Sequence, residues 1–223
     1  MPQLSPVHDR EAARHRIHVA MAELVAERGY RRTHLPDVAK RGRVSLRTFY
    51  AEFANKEACF LEVHAVLVER VELGLREAVR FDGTPAEVTR RACERILGLL
   101  VVEPLLTHAA VVELATLSDV ARKARDRSLA RIASIVVDLV DEGRERFPDV
   151  PMRPLPLPVA VAILGSVVEL VTRRTAQHGE LAELAETTTD LLLSVITNVG
   201  GLDAAGVAEA QATPPAVAAA ADR

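Results

Sequence analysis

The chain has 223 residues, 49% of them hydrophobic and 26% charged, with a net charge of −3. That length and apolar fraction exclude a compositionally disordered chain and allow one large domain or a small one joined to a medium one. The charge is uneven: residues 1–57 hold 11 Lys+Arg against 7 Asp+Glu, and the remainder 17 against 24, so a basic first quarter precedes an acidic body. This asymmetry is expected where a nucleic-acid-binding head sits on a different kind of body.

Ala, Leu and Val dominate beyond the first quarter, strand-type alternation is absent, and the expected fold is all-α with about nine helices. Residues 1–8 read as a loose arm. Helix one is expected from Asp9 to Arg28, with Ile17, Ala20, Met21, Leu24 and Val25 as its inward stripe and Gly29 as its left-handed stop. Helix two runs from Leu35 to Gly42, with Pro36 in its first turn. Helix three runs from Ser45, its cap, to Phe53, and Asn55 caps helix four, which extends to Arg80. Asp82-Gly83-Thr84-Pro85 breaks the chain. Helix five covers Pro85 to Glu103, helix six Leu105 to Leu117, and helix seven follows Ser118-Asp119 to Phe147. Five prolines stiffen residues 148–158. Helix eight continues to His178, Gly179 separates it from helix nine (Glu180 to Val199), and the Ala-rich residues 201–223 read as a frayed tail.

Two short helices joined by about three residues, with small Ala39 at their crossing and Val38, Val44, Phe49 and Phe53 facing a covering first helix, make a helix-turn-helix between Leu35 and Phe53. Its second helix can enter a DNA major groove. On the outward face, Arg47 can donate two hydrogen bonds to a guanine, Leu46 offers an apolar contact, and Tyr50 and Thr48 offer hydroxyls to phosphates. Lys56 stands in the first turn of helix four, beside free backbone N–H groups, as a phosphate site. His34, Lys40, Arg41 and Arg43 add donors around the same patch.

The stretch Gly29-Tyr30, Thr33, Asp37-Val38-Ala39, Val44-Ser45-Leu46-Arg47-Thr48-Phe49-Tyr50, Phe53 and Lys56-Glu57 resembles the N-terminal signature of TetR-family transcriptional repressors over residues 10–65. The resemblance implies a homodimer, a palindromic double-stranded DNA operator and loss of DNA affinity on ligand binding. It matches the family's base readers to Leu46, Arg47 and Tyr50 and its phosphate contacts to His34, Thr48, Tyr50 and Lys56; Lys40, Arg43 and Ser45 complete the expected DNA-binding set. One departure stands out. The family usually places Ala-Gly before the Val-Ser, and here Gly42-Arg43 occupies those positions, so Arg43 falls where the turn often needs a positive φ.

The expected division is residues 1–54 as the DNA-binding domain with its arm, 55–200 as a helical regulatory and dimerisation domain, and 201–223 as tail. The regulatory site is expected within helices four to eight, lined by aliphatic side chains and suited to a compact or aliphatic ligand. His64, Cys93, His108, Glu113 and Glu169 are the polar candidates for orienting it, with ordinary core histidines and Arg-paired carboxylates as the alternatives. Glu169 stands among valines and leucines and, if buried, requires a partner. Helices eight and nine (159–199) are the expected dimer surface, with Leu184, Leu191, Leu192, Val195 and Ile196 on helix nine.

Cys59 and Cys93 suit a reducing cytoplasm as small hydrophobes, with a redox-sensing thiol as the sharper alternative. Glu11, His15 and His18 share one side of helix one, where a solvated face is favoured over zinc. No cofactor, metal, signal peptide or membrane span is expected. An all-helical enzyme or carrier is disfavoured, because no nucleophile–base pair, metal cluster or phosphate-binding glycine loop is present. A membrane-surface or scaffold protein does not account for the outward Leu46, Arg47 and Tyr50.

Overall fold

The computed structural model describes residues 6–102, 104–176 and 182–197. Within them the chain is all-helical: α1 (Pro6–Arg28), α2 (Leu35–Arg41), α3 (Leu46–Glu52), α4 (Lys56–Ala78), α5 (Pro85–Val101), α6 (Pro104–His108), α7 (Asp119–Arg146), α8 (Leu157–Ala176) and α9 (Ala182–Ile196). The 201–223 tail, His178 and Gly179 lie outside the described residues.

Local chemistry sets most boundaries. Gly29 ends α1 at φ 79°, a conformation a Cβ would disfavour. Asn55 Oδ1 accepts from the Ala58 N–H at 2.7 Å and starts α4. Thr84 and Glu87 form a reciprocal capping box at α5. Ser118 Oγ accepts from the Ala121 N–H at 3.1 Å and starts α7. The expected N-terminal arm is shorter than read from sequence, since α1 starts at Pro6 and not Asp9; a proline is tolerated in a first turn, whose N–H groups need no helical partner.

The expected sixth helix is not continuous. After α6 the backbone widens into a π-helical turn (Ala109–Glu113) and then tightens into a 3₁₀ turn (Leu114–Thr116). The reason lies in packing. Leu106, Ala110 and Leu114 are all buried in one cluster against α1, yet a four-residue step in an α-helix drifts by about 40°. A turn holding more residues offsets that drift and keeps the three side chains on one face.

Three apolar clusters make the core. The first joins the stripe of α1 and the inward residues of α2 and α3 to Cys59, Phe60 and Val63 of α4, and continues into Leu106, Ala109, Ala110, Leu114 and Ala121. It crosses the 54/55 junction without a break. The second holds α7, α8 and α9 together around Ala133, Val140, Ala160, Ile163 and Ile196. The third joins Leu97 of α5 to Val171, Leu184 and Ala185. Leu184, Leu192 and Ile196 therefore face the subunit's own interior, which corrects their expected place on a partner-facing surface. Helix nine packs on α5 through Leu184 and Ala185 and on α7 and α8 through Ile196.

His64 of α4 is buried, with Nε2 3.1 Å from Ser128 Oγ of α7. Burial, reinforced by the Arg125 charge, pushes its pKa down to about 4. The unfolded chain then takes up a proton below its ordinary pKa that the folded chain refuses until near pH 4. Stability present above pH 6.5 is thus lost as pH falls through that window. Between pH 7.5 and 5 this one group should cost about 2 kcal/mol. Urea unfolding of wild type and His64→Gln at both pH values checks it: the variant's acid loss should be smaller by that amount, and an equal loss would refute the assignment.

Candidate nucleic-acid interface and ligand cavity

Ser45 caps α3 with its Oγ, which accepts from the Thr48 N–H at 2.9 Å and lies 2.8 Å from the Thr48 hydroxyl. Phe49 is fully buried, edge-on to Tyr50 and tilted against Phe53 with ring centroids 5.6 Å apart in both pairs. Pinning Phe49 inward fixes the rotation of the helix. Leu46 and Tyr50, 41% and 57% exposed, and the exposed Arg47 are left on the open side.

The turn before α3 is tight. The Val44 N–H reaches the Ala39 carbonyl at 2.9 Å, and Arg43 adopts φ 52°, as its place in the turn implied. Gly42 keeps an ordinary helical φ of −73°, but a Cβ there would stand 3.2 Å from the Val38 carbonyl oxygen and 3.3 Å from that of Arg16. The missing side chain therefore serves the close approach of α1 to α2. The left-handed strain falls on Arg43 alone, and Arg43→Gly should stabilise the fold by about 1 kcal/mol. Chemical denaturation measures this, and an unchanged midpoint would mean that the turn relaxes its strain elsewhere.

Ion pairing decides which head cations are free. Arg10 and Arg14 engage Glu52, Arg14 also engages Glu62, Arg28 pairs with Asp37 at 2.9 Å, and Arg41 grips Glu27 and Glu23 of α1. Arg41 is thus tied into the α1–α2 contact and does not belong to the outward patch. Exposed Arg31, Arg32, Lys40, Arg43 and Arg47 enter none of these pairs, and His34 is exposed beside them. Glu23, Glu27, Asp37 and Glu52 are engaged by these arginines, which leaves the exposed cations outside these pairs as the head's available positive charge.

Lys56 stands in the first turn of α4, as expected, and its side chain is engaged within the head. Its Nζ donates to the Tyr30 carbonyl at 2.5 Å and lies 3.8 Å from the centroid of the Tyr30 ring. Burial lowers its pKa, opposed by the nearby Glu113 charge. Its first duty is to fasten the end of α1 to α4.

The body contains an apolar cavity of about 150 Å³ between α4, α5, α7, α8 and α9. Leu75, Ile96, Leu97, Val140, Ile163 and Ile196 are among its walls, Phe147 is its single aromatic residue, and no charged side chain lines it. Of the five polar residues expected to orient a ligand, Cys93 alone lines it. Burial raises its pKa, opposed by the neighbouring Thr189 hydroxyl. His64 instead joins α4 to α7. His108 and Glu113 sit at the π turn, with Nδ1 and Oε1 3.8 Å apart. One Glu113 carboxylate oxygen is buried without a partner among the described residues. Glu169 is 58% exposed and pairs with Arg173 one turn on, at 2.6 Å. The valines and leucines beside it in sequence occupy other faces of the helix, so its expected burial is corrected. The cavity residue that the sequence reading missed is Thr188, which lines the wall with a hydroxyl lacking any partner among the described residues. A threonine within an apolar helix carries no distinguishing signal in sequence.

Glu11, His15 and His18 do not converge on a metal site: His18 Nε2 lies 3.8 Å from Glu62, and its ring is stacked 6.3 Å from that of Phe53. Among the described residues no single helix is long and apolar enough to cross a membrane.

The family model for bacterial regulatory proteins of the tetR family matches residues 17–63. The fold is similar to that of the transcriptional regulator FadR from Bacillus subtilis in complex with stearoyl-CoA, at 22% identity and TM-score 0.67, covering 82% of this chain and 98% of that one. The fatty acid degradation regulator FadR from Bacillus halodurans is similar at 21% identity and TM-score 0.68, covering 90% and 98%. A putative TetR-family transcriptional regulator from Mesorhizobium loti is similar at 16% identity and TM-score 0.68, covering 84% and 98%. Among curated proteins nothing matches. The family model thus matches residues 17–63, which run from α1 into α4, and the fold is similar to that of these solved regulators.

Proposed function

We infer that this chain is a cytoplasmic repressor that binds a palindromic operator as a homodimer and leaves it when a small hydrophobic ligand enters the body. Residues 1–54 read the DNA and residues 55–200 form the regulatory part. The observation that carries this reading is the outward set Leu46, Arg47 and Tyr50 on a capped helix whose other side is locked by Phe49. Arg47 reads a guanine edge, Leu46 a thymine methyl, and Tyr50, Thr48, Ser45, His34, Lys40 and Arg43 hold phosphates. Lys56 keeps donor capacity beyond its bond to Tyr30 and contributes a phosphate contact at the start of α4.

Two features support regulation. The cavity is aliphatic, consistent with the acyl ligand of the similar Bacillus subtilis regulator. The first apolar cluster runs unbroken from α1 through α4 to the π turn, so a shift in the body has a packed route to the head. The dimer forms through the outward faces of α8 and α9, where Leu157 and Val159 are exposed.

Fluorescence anisotropy with DNA from immediately upstream of the gene, at two salt concentrations and against a scrambled duplex, tests the reading. Tight, sequence-dependent and salt-sensitive binding is expected. Equal weak binding to both duplexes, followed by a genome-wide selection that recovers no site, would refute it.

A further inference from the structure

Three side chains bearing an O–H or S–H group line the cavity: Thr89, Cys93 and Thr188. Thr89 Oγ1 donates to the Pro85 carbonyl at 2.8 Å, and the Cys93 thiol is only a weak donor. Thr188 carries the strong donor left without a partner among the described residues. Threonines in these helices usually return their proton to the carbonyl four residues back, as Thr89, Thr172, Thr189 and Thr197 do. Thr188 is 8% exposed and lines the cavity instead, its Oγ1 without a partner among the described residues. A buried hydroxyl left unpaired costs free energy unless something in the cavity meets it.

The rest of the wall limits what that can be. No Asp, Glu, Lys, Arg or His lines the cavity, so a charged group would be buried there without compensation. A volume of about 150 Å³ admits a molecule of benzene size, about six non-hydrogen atoms, without rearrangement. We propose that the cavity takes a compact, neutral aliphatic molecule, or the neutral end of a longer one, carrying one hydrogen-bonding oxygen, and that Thr188 Oγ1 is the protein group that recognises this oxygen. The assignment rests on the reading of the cavity as the regulatory site. It narrows the ligand to alcohols, ketones, esters or lactones with an apolar body and makes Thr188 the determinant of specificity.

Cyclohexanol and methylcyclohexane have nearly the same shape and differ by a hydroxyl in place of a methyl. Their affinities for the full-length protein, measured by NMR titration in wild type, Thr188→Val and Thr188→Ser, test the proposal. Thr188→Val should weaken cyclohexanol about 5-fold, the worth of one neutral hydrogen bond, and leave methylcyclohexane unchanged or tighter. Thr188→Ser should keep the wild-type affinity for cyclohexanol. Thr188→Val should also raise the Tm of the ligand-free protein, because it removes the orphaned hydroxyl. Failure of cyclohexanol to bind wild type, or an equal response of both probes to Thr188→Val, would overturn the assignment. Adding cyclohexanol to the DNA complex separates the two readings. A hydroxyl preference lost in Thr188→Val upholds the role of Thr188 even if DNA stays bound, and retention of DNA then counts against ligand release alone.

Discussion

Phe49→Ala should destabilise the protein by about 3–5 kcal/mol, a large share of the stability of an ordinary domain. The ring is fully buried between Phe53 and the stem of α3, and it belongs to the cluster that runs from α1 into the π turn. Two further consequences follow from that membership. Loss of the ring should lower the midpoint of a single cooperative transition instead of melting the head alone, because the head has no apolar core separate from α4 and α6. Operator binding should fall as well, since Phe49 is the buried side chain that sets the rotation of α3. Urea unfolding followed by circular dichroism reads the first effect; two separated transitions would show that the head unfolds independently.

Arg47→Ala should cost about 1–3 kcal/mol of operator affinity, roughly 5- to 150-fold, and relax preference at one base pair. The side chain is exposed and outside the head's ion pairs, so truncating it leaves the fold intact and the loss belongs to recognition. Lys56→Ala is the contrasting case. It should weaken operator and scrambled duplex alike and reduce the salt slope by about 1. It should also lower stability, because Nζ holds the Tyr30 carbonyl. Competition with single-base operator variants separates the two: if Arg47→Ala binds every variant in the wild-type order, Arg47 is not the base reader.

Glu113 and the π turn lie where α1 and α4 meet the rest of the chain. The turn ends beside the charge of Lys56, which fastens α1 to α4, and it packs on α1 through Ala109 and Ala110.

The capped α3 with its outward Leu46, Arg47 and Tyr50 was legible in the sequence because its determinants are local. Ser45 and Asn55 satisfy N–H groups three residues ahead, Gly29 permits a backbone angle that side chains resist, and the inward stripe of α1 repeats at helical spacing. Each of these acts within one or two turns, so residue type and spacing suffice. The strain on Arg43 was also foreseeable, since the position in the turn dictates the angle whatever residue fills it.

The helical body was not legible to the same depth. That the cavity would be aliphatic followed from a body almost free of aromatic residues, but which residues line it did not. Helices α8 and α9 are apolar on more than one face, so sequence alone leaves their rotation open. Packing on α5 and α7 turned Leu184, Leu192 and Ile196 inward, left Glu169 in solvent beside Arg173, and put the Thr188 hydroxyl at the cavity wall. Lys56 read as a free phosphate donor because the Tyr30 carbonyl that captures it lies 26 residues away in the chain. Sequence by itself determined the helices, their caps and the outward face of α3, which depend on neighbours within a turn or two; only the tertiary structure decided the rotation of the apolar helices and the partners of buried polar groups, which depend on contacts far apart in the chain.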